Sequence, residues 1–142
     1  EEDITHAKSE RGNFDMLLSI NTLPSKILLM GEPAVCERAE SDLAAAYPML
    51  HVVRSAPNLV EIMEASVSKE SGIRAMLDHY NLTADDALSF GDNYNDLEML
   101  RFTKTSVAMS NAPEPIKKAA TDVTKSNAED GIWWWLKEKG II

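Results

Sequence analysis

The sequence predicts an α/β protein with a parallel sheet in its carboxyl-terminal part, and two patterns lead to this class. After residue 65, short apolar runs that suit strands alternate with amphipathic helical segments, an order typical of parallel sheets. Before residue 65, the order is strand, helix, strand, strand, which indicates a smaller α+β unit. This change of pattern places a boundary near residues 65–68, so the predicted domains are residues 1–65 and 66–142.

Four elements are predicted in the amino-terminal domain. Pro33 suits the first turn of a helix, and apolar residues follow it at helical spacing as far as Tyr47-Pro48. Pro57-Asn58 is a turn signal between two apolar runs that suit strands. The predicted elements are a strand at residues 26–30, a helix that begins at Pro33, and strands at residues 51–54 and 59–63.

Helices and strands alternate through the predicted carboxyl-terminal domain. Ser126 and Glu129 have the spacing of a capping box, which predicts that a last helix opens there and runs through Lys139. The earlier elements are a helix around residues 73–80, a strand at 87–90, a helix around 97–101, a strand at 105–109, a helix at 113–120 and an extended segment at 122–124.

Composition and charge argue against several classes of partner. The 142-residue chain has a net charge of −9, which disfavours nucleic acid because phosphate-backbone binding requires a basic face. No apolar run approaches the roughly 18 residues of a membrane span. The single cysteine, Cys36, excludes an internal disulfide and fits a reducing compartment, so we expect a cytoplasmic protein with neither a nucleic-acid nor a membrane partner.

The stretch LSFGDNYNDLEML places two carboxylates where a predicted strand becomes a helix. Ligands of an open parallel sheet bind beyond the carboxyl ends of its strands, which is the expected position of Asp92. Asp96 follows one helical turn later on a similar face. Hard oxygen ligands suit Mg²⁺, which takes one or two carboxylates and keeps several waters. The motif fits a metal site, and it fits equally well a role of Asp92 as a helix N-cap.

Lys69 is expected at the same edge of the sheet. It begins the helix that precedes the Asp92 strand, and helices of a parallel sheet begin where the strands end. A lysine there adds to the positive end of the helix dipole. A cation, a metal-binding carboxylate and a nearby amide together suit the binding of a phosphate group.

Several spaced motifs lie in order between residues 59 and 136 and carry a resemblance to a known family. They are Val67-Ser68-Lys69, Gly91 to Asp96, Leu97 to Leu100, Val107-Ala108-Met109, Asn111-Ala112 and the later TDVTKSNAEDGI. With these motifs the chain resembles the haloacid dehalogenase (HAD) superfamily, most closely its Cof-type phosphatases with a large α/β cap. The resemblance implies the carboxyl-terminal half of a Rossmann-like core at residues 66–142, preceded by part of an α+β cap at residues 1–65.

The resemblance also implies an activity, that of a Mg²⁺-dependent phosphohydrolase acting on small-molecule phosphate esters. In the family, an aspartate attacks phosphorus to form an aspartyl-phosphate, and a second aspartate two residues on protonates the leaving group. By the same resemblance, Asp92 binds Mg²⁺, and Asp96 supports the metal through water or holds Lys69. Lys69 then neutralises the nucleophile and the phosphate, and Asn95 donates a hydrogen bond to the phosphate.

The chain departs from the family at the nucleophile, because no Asp-x-Asp sequence occurs in it. We therefore expect the chain, which begins at Glu1, to be the carboxyl-terminal half of such an enzyme and inactive alone. The alternative is a non-catalytic binding or assembly module. Since the strand ending at Asp92 pairs in the family with a strand that is absent here, we also expect self-association through its exposed edge.

Two residue groups outside these motifs are given structural interpretations. Successive helical residues lie about 100° apart, so Trp133, Trp134 and Trp135 cannot all face one core. One or two of them are expected to pack on the sheet and another to be partly exposed, in preference to a ligand-stacking role. The three histidines lack the spacing of a metal site and are expected to be structural or surface residues; they are His6, His51 and His79.

Overall fold

The structure is a computed structural model that describes residues 12, 13, 15 and 24–142. Within residues 24–64, the amino-terminal unit has a three-stranded antiparallel sheet and one helix. Its elements are β1 (Ile27–Met30), α1 (Pro33–Ala46), β2 (Leu50–Ala56) and β3 (Leu59–Glu64). The sheet order is β1-β3-β2. Part of the predicted 1–65 domain, including His6, lies outside the described residues.

All four elements of this unit match the prediction. Pro33 occupies the first turn of α1, where its missing N–H costs no hydrogen bond. The two later strands are longer than predicted because they form a hairpin, in which Ala56 pairs with Leu59 across Pro57-Asn58. The unit buries few side chains completely, and Cys36 of α1 and Val60 of β3 are both 0% exposed.

A three-stranded parallel sheet with flanking helices forms the carboxyl-terminal unit, which confirms the predicted α/β class. The sheet order is β4-β5-β6. Its elements are α2 (Lys69–Tyr80), β4 (Leu88–Gly91), α3 (Leu97–Phe102), β5 (Thr105–Met109), α4 (Glu114–Ala119), β6 (Asp122–Thr124) and α5 (Gly131–Glu138). The central strand β5 is buried from its second residue to its last, as expected of a strand covered on both faces.

One cluster of buried side chains holds the helices to this sheet. Leu100 of α3 and Ile116 of α4 are 1% and 0% exposed and pack with Ala108 of β5 and with Ala112. Trp135 of α5 is also buried, and its ring meets that of Phe90 on β4 edge-on at 5.6 Å between centroids. Burial of this apolar surface fixes β4 next to β5, and Asp92 follows directly after the carboxyl end of β4.

The amino terminus of α2 is set by a capping box. The Ser68 hydroxyl accepts the N–H of Ser71 at 3.1 Å, and the Ser71 hydroxyl accepts the N–H of Ser68 at 2.9 Å. Because Ser68 caps the helix, Lys69 is the first residue of α2. The helix therefore begins one turn before residue 73, where the apolar pattern that predicted this helix starts. Residues 65–68 connect β3 with α2.

The prediction that Ser126 and Glu129 open the last helix is wrong. Their capping box caps the amino terminus of a short 3₁₀ turn, Asn127–Glu129, and α5 begins only after Asp130. Asp130 has φ 54°, in the left-handed region, which interrupts the helical path. The following Gly131 is required because a Cβ there would lie 2.1 Å from the Lys125 carbonyl oxygen.

The three adjacent tryptophans of α5 divide as expected. Trp135 packs on the sheet, whereas Trp133 and Trp134 are 46% and 44% exposed. Each exposed ring lies near an ammonium group, Lys137 at 4.6 Å and Lys125 at 3.6 Å from the respective centroid. Within the described part of the chain, no helix has the length and apolar character needed to cross a membrane.

Candidate functional site

The candidate site begins where β4 ends. Gly91 is the last residue of β4, and the chain then passes through Asp92 and Asn93 into a 3₁₀ turn, Tyr94–Asp96. A Cβ on Gly91 would lie 2.6 Å from the Cβ of Asp96, so only glycine permits this close approach. We call residues 91–96 the acidic loop. The parallel sheet therefore delivers both carboxylates to one end of β4, as the sequence predicted.

Asp96 organises the acidic loop. Its side chain is 4% exposed, and its Oδ2 accepts the backbone N–H groups of Asp92 at 2.9 Å and Asn93 at 3.0 Å. Its Oδ1 accepts a hydrogen bond from the Lys69 ammonium. Both oxygens are thus satisfied by groups of the chain, as a buried carboxylate requires. This arrangement matches the second alternative for Asp96, a residue that holds Lys69.

Lys69 reaches the acidic loop from the first position of α2. Its side chain is 51% exposed, so the ammonium is held at one side by Asp96 and is open to solvent at the other. Separated by 27 positions in sequence, the two residues meet because α2 begins at the same edge at which β4 ends. An ammonium with a fixed partner and an open side can bind an anion.

Asp92 does not act as a helix cap. Asn93 is the N-cap of the following turn, and its side-chain oxygen accepts the N–H of Tyr94 at 2.9 Å. The half-buried Asp92 instead accepts a hydrogen bond at Oδ2 from the Asn111 side chain at 3.0 Å. No residue of the described part of the chain donates a hydrogen bond to its other oxygen, Oδ1.

This donor set fits a hard divalent cation. One oxygen of Asp92 is open, and Mg²⁺ is usually held by one or two carboxylates with waters completing its shell. Among the described residues, no group of three or more His, Cys, Asp or Glu side chains is placed to hold a metal. The arrangement therefore suits a metal that keeps waters and not one that needs several protein ligands, such as structural zinc.

Asn95 and Lys69 line one cavity together. It has a volume of about 340 Å³ and lies between the antiparallel sheet and the acidic loop. Asn95 is half-buried, and its side chain makes no hydrogen bond within the described residues. The structure thus brings the four predicted site residues to one place: Lys69, Asp92, Asn95 and Asp96.

Contacts between the acidic loop and β2 were not predicted. The Asn93 amide donates to the Ser55 carbonyl oxygen at 2.6 Å. The Arg54 guanidinium lies 5.1 Å from the centroid of the Tyr94 ring and is ion-paired with Glu40 at 2.7 Å. No local signal connects positions so distant in sequence. Asn111 was part of a recognised motif, but its contact with Asp92 depends on the pairing of β4 with β5.

Comparison with known proteins gives a family match over most of the chain. The family model described as haloacid dehalogenase-like hydrolase matches residues 3–136. The chain is 40% identical over 116 residues to a predicted phosphatase of Haemophilus influenzae, which covers 82% of this chain and 44% of that protein.

Solved structures agree with this match. A sugar phosphatase of HAD subclass IIB superimposes with a TM-score of 0.76 at 30% identity, covering 86% of this chain and 45% of the other. A predicted HAD/Cof-like hydrolase from Plasmodium vivax gives a TM-score of 0.79 at 27% identity, covering 87% of this chain and 44% of the other. The chain spans less than half the length of each of these three relatives.

Proposed function

This chain belongs to the haloacid dehalogenase-like hydrolases of the Cof type, and from that premise we propose that it forms the lysine- and metal-binding part of a Mg²⁺-dependent phosphatase. The proposed substrates are small phosphate monoesters. The observation that carries the proposal is the meeting of Lys69, Asp92 and Asp96 at the carboxyl end of β4. A fixed ammonium next to an open carboxylate oxygen suits one phosphoryl group and one divalent cation.

Lys69 is proposed to be the cationic group of the reaction. Its ammonium is oriented by the buried Asp96 and exposed toward the cavity, where it can neutralise phosphoryl oxygens. Asn95, on the wall of the same cavity, is proposed to donate a hydrogen bond to the phosphate. Preorganised donors of this kind stabilise the charge that develops in phosphoryl transfer.

Asp92 is proposed as the direct metal ligand through its open oxygen, with Asn111 orienting the other oxygen. Asp96, whose oxygens are engaged, is proposed to support the metal through water. When bound, Mg²⁺ would neutralise negative charge on the phosphoryl oxygens. The attacking group of the proposed aspartyl-phosphate pathway belongs to an Asp-x-Asp segment, which residues 1–142 do not contain, so this segment alone is expected to be inactive.

The test is hydrolysis of an aryl phosphate by the full-length protein, with and without Mg²⁺. Asp92→Asn is expected to lower kcat/KM by about 100-fold, because it removes the charged ligand proposed to hold the cation that neutralises the phosphoryl centre. Asp85→Asn is the matched control, since Asp85 is an exposed carboxylate paired with Lys104. Mg²⁺-independent activity, or full activity of Asp92→Asn, contradicts the proposal. A full-length protein without activity favours the binding-module alternative.

The proposed partner is a second copy of the chain, joined through β4. Within the described residues, β4 pairs only with β5, so its other edge offers free backbone groups. Leu88 on this strand is 36% exposed. Sedimentation of the 142-residue chain is expected to show a dimer or larger species, and a monomer at all concentrations contradicts this.

The proposed location is the cytoplasm. Cys36 is unpaired and 0% exposed, which suits a protein that needs no oxidising compartment to fold. Fractionation of cells that produce the full-length protein tests this, and recovery in a secreted fraction contradicts it.

A further inference from the structure

The cavity beside Lys69 is lined by further charged side chains, which the proposed catalytic roles do not use. Its volume of about 340 Å³ is at the lower limit for small-molecule sites. Lys69 and Asn95 line this cavity, and so do Lys26, the residue before β1, and Glu61 of β3. A substrate whose phosphate lies at Lys69 would therefore direct its leaving group toward the antiparallel sheet.

Lys26 and Glu61 form a close ion pair there, with Nζ 2.6 Å from Oε2. The Glu61 side chain is only 14% exposed, whereas Lys26 is 43% exposed. Burial raises the pKa of Glu61, but the hydrogen bond from Lys26 and the charges of Lys26 and Lys69 outweigh burial and lower it. Glu61 is therefore ionised at neutral pH, and its charge interacts with both Lys26 and Lys69.

The pair offers a ligand one hydrogen-bond acceptor group and one donor group, and its two charges cancel. A carboxylate accepts hydrogen bonds from hydroxyl groups, and an ammonium donates to them. Val53 and Met63 also line the cavity, and their apolar side chains cannot offset the desolvation cost of an additional charge on the ligand. A leaving group with its own carboxylate would meet the Glu61 charge, and one with an ammonium would meet Lys26.

We propose that the Lys26–Glu61 pair is the specificity determinant of this site, selecting phosphate monoesters whose leaving groups are neutral and carry hydroxyl groups. The inference rests on the proposed function for the position of the phosphate. It assigns the choice of leaving group to Glu61 of β3 and to Lys26, the residue before β1, neither of which belongs to the acidic loop.

The test compares three ligands of similar size by calorimetry on the full 142-residue chain. Glycerol 3-phosphate has a neutral leaving group, 3-phosphoglycerate an anionic one and phosphoethanolamine a cationic one. All measurements are made at pH 8. The unaltered chain is expected to bind glycerol 3-phosphate more tightly than either charged ligand.

Two variants are expected to shift this preference in opposite directions. Glu61→Gln leaves the Lys26 charge unbalanced and favours 3-phosphoglycerate, whereas Lys26→Met favours phosphoethanolamine. Each shift relative to glycerol 3-phosphate is expected to be about fivefold, the effect of a unit charge about 8 Å away at an effective dielectric near 40. Asp85→Asn and Lys104→Met make the same charge changes at an exposed pair outside the cavity and are expected to shift neither ratio.

The outcomes separate this inference from the proposed function. Shifts in the expected directions support the inference even if the full-length protein hydrolyses nothing, a result that would remove the phosphatase proposal alone. Normal hydrolysis with ratios that do not move in either variant overturns the inference alone. Binding of none of the three ligands also overturns the inference.

Discussion

The two sheets of the molecule differ in how much of their surface the chain covers. In the parallel sheet, β5 is buried over most of its length, and Leu100 and Ile116 are sealed against it. In the antiparallel sheet, β1 is largely open, with Leu28 41% and Met30 62% exposed. The unit that supplies the acidic loop is therefore densely packed, and the unit that supplies the rest of the cavity wall is not.

This difference separates two requirements of a site. The carboxylates and Lys69 must be held within a fraction of an ångström, which close packing and satisfied hydrogen bonds achieve. Lys26 directly precedes β1, whose side chains are largely exposed, and Glu61 lies on the neighbouring β3, so substitutions of this pair are expected to disturb few other contacts. Side chains are thus held precisely in the parallel unit, whereas the antiparallel unit is expected to tolerate substitutions.

The largest expected contrast comes from truncating one leucine in each unit. Leu100→Ala removes a side chain that is 1% exposed and is expected to lower the free energy of unfolding by about 3–4 kcal/mol. Leu28→Ala, at a position 41% exposed, is expected to cost about 1 kcal/mol. Urea denaturation followed by circular dichroism measures both. Equal losses would show that the two units are packed alike.

Glycine substitutions sharpen the same contrast at the backbone. Gly91→Ala would place a Cβ 2.6 Å from the Asp96 Cβ and is expected to destabilise the protein by about 2–3 kcal/mol. Gly31→Ala places a Cβ 3.8 Å from the Cys36 sulfur, an ordinary contact, and is expected to change stability by less than about 0.5 kcal/mol. The same denaturation experiment applies. A tolerated Gly91→Ala would mean that the acidic loop has room to move.

Asn93 tests the connection between the two units. Asn93→Asp keeps the oxygen that accepts the Tyr94 N–H but removes the donor to Ser55, at an expected cost of about 1 kcal/mol. Amide hydrogen exchange is expected to accelerate in β2 and to remain unchanged in β5. Exchange that accelerates equally in both strands would show that the units open together and not separately.

The smallest effect concerns one carboxyl group of the parallel unit. The Trp135 indole, the Val123 N–H and Lys139 lower the pKa of Asp122 from its ordinary 3.8. Because the folded pKa lies below the unfolded one, this stabilisation is present above about pH 4 and is lost as the pH falls through the folded pKa. Trp135→Phe is expected to raise the Asp122 pKa, measured by carboxyl NMR titration. The exposed Trp134→Phe serves as the control and should leave the pKa unchanged.

Local patterns were enough to predict the order of the elements and to place Lys69 at the same edge of the sheet as Asp92, whereas the contact of Lys69 with Asp96 was one of two alternatives that the family resemblance implied. Lys69 and Asp92 could be placed together because strand and helix ends of a parallel sheet share an edge. The capping box at Ser126 was assigned to the wrong element because spacing alone does not show that Asp130 adopts a left-handed conformation.

Two contacts made by residues of the antiparallel unit could not be predicted. Lys26 with Glu61, and Asn93 with Ser55, join positions that no periodicity relates. They depend on strand register and on how the antiparallel sheet lies against the acidic loop. Many different residues are compatible with the same register, so the sequence alone does not show which side chains meet. The residues proposed to hold the metal and phosphate are thus easier to predict from the sequence than those proposed to select the substrate.

The arrangement of the aromatic residues has a practical consequence for spectroscopy. All three tryptophans of the sequence lie side by side on α5, one buried and two partly exposed. Selectively excited indole fluorescence therefore reports on the carboxyl-terminal helix and is silent about the antiparallel sheet. A quencher in the solvent would reduce the fluorescence of Trp133 and Trp134 but not that of the buried Trp135. Quenching of Trp135 would therefore show that α5 has separated from the sheet.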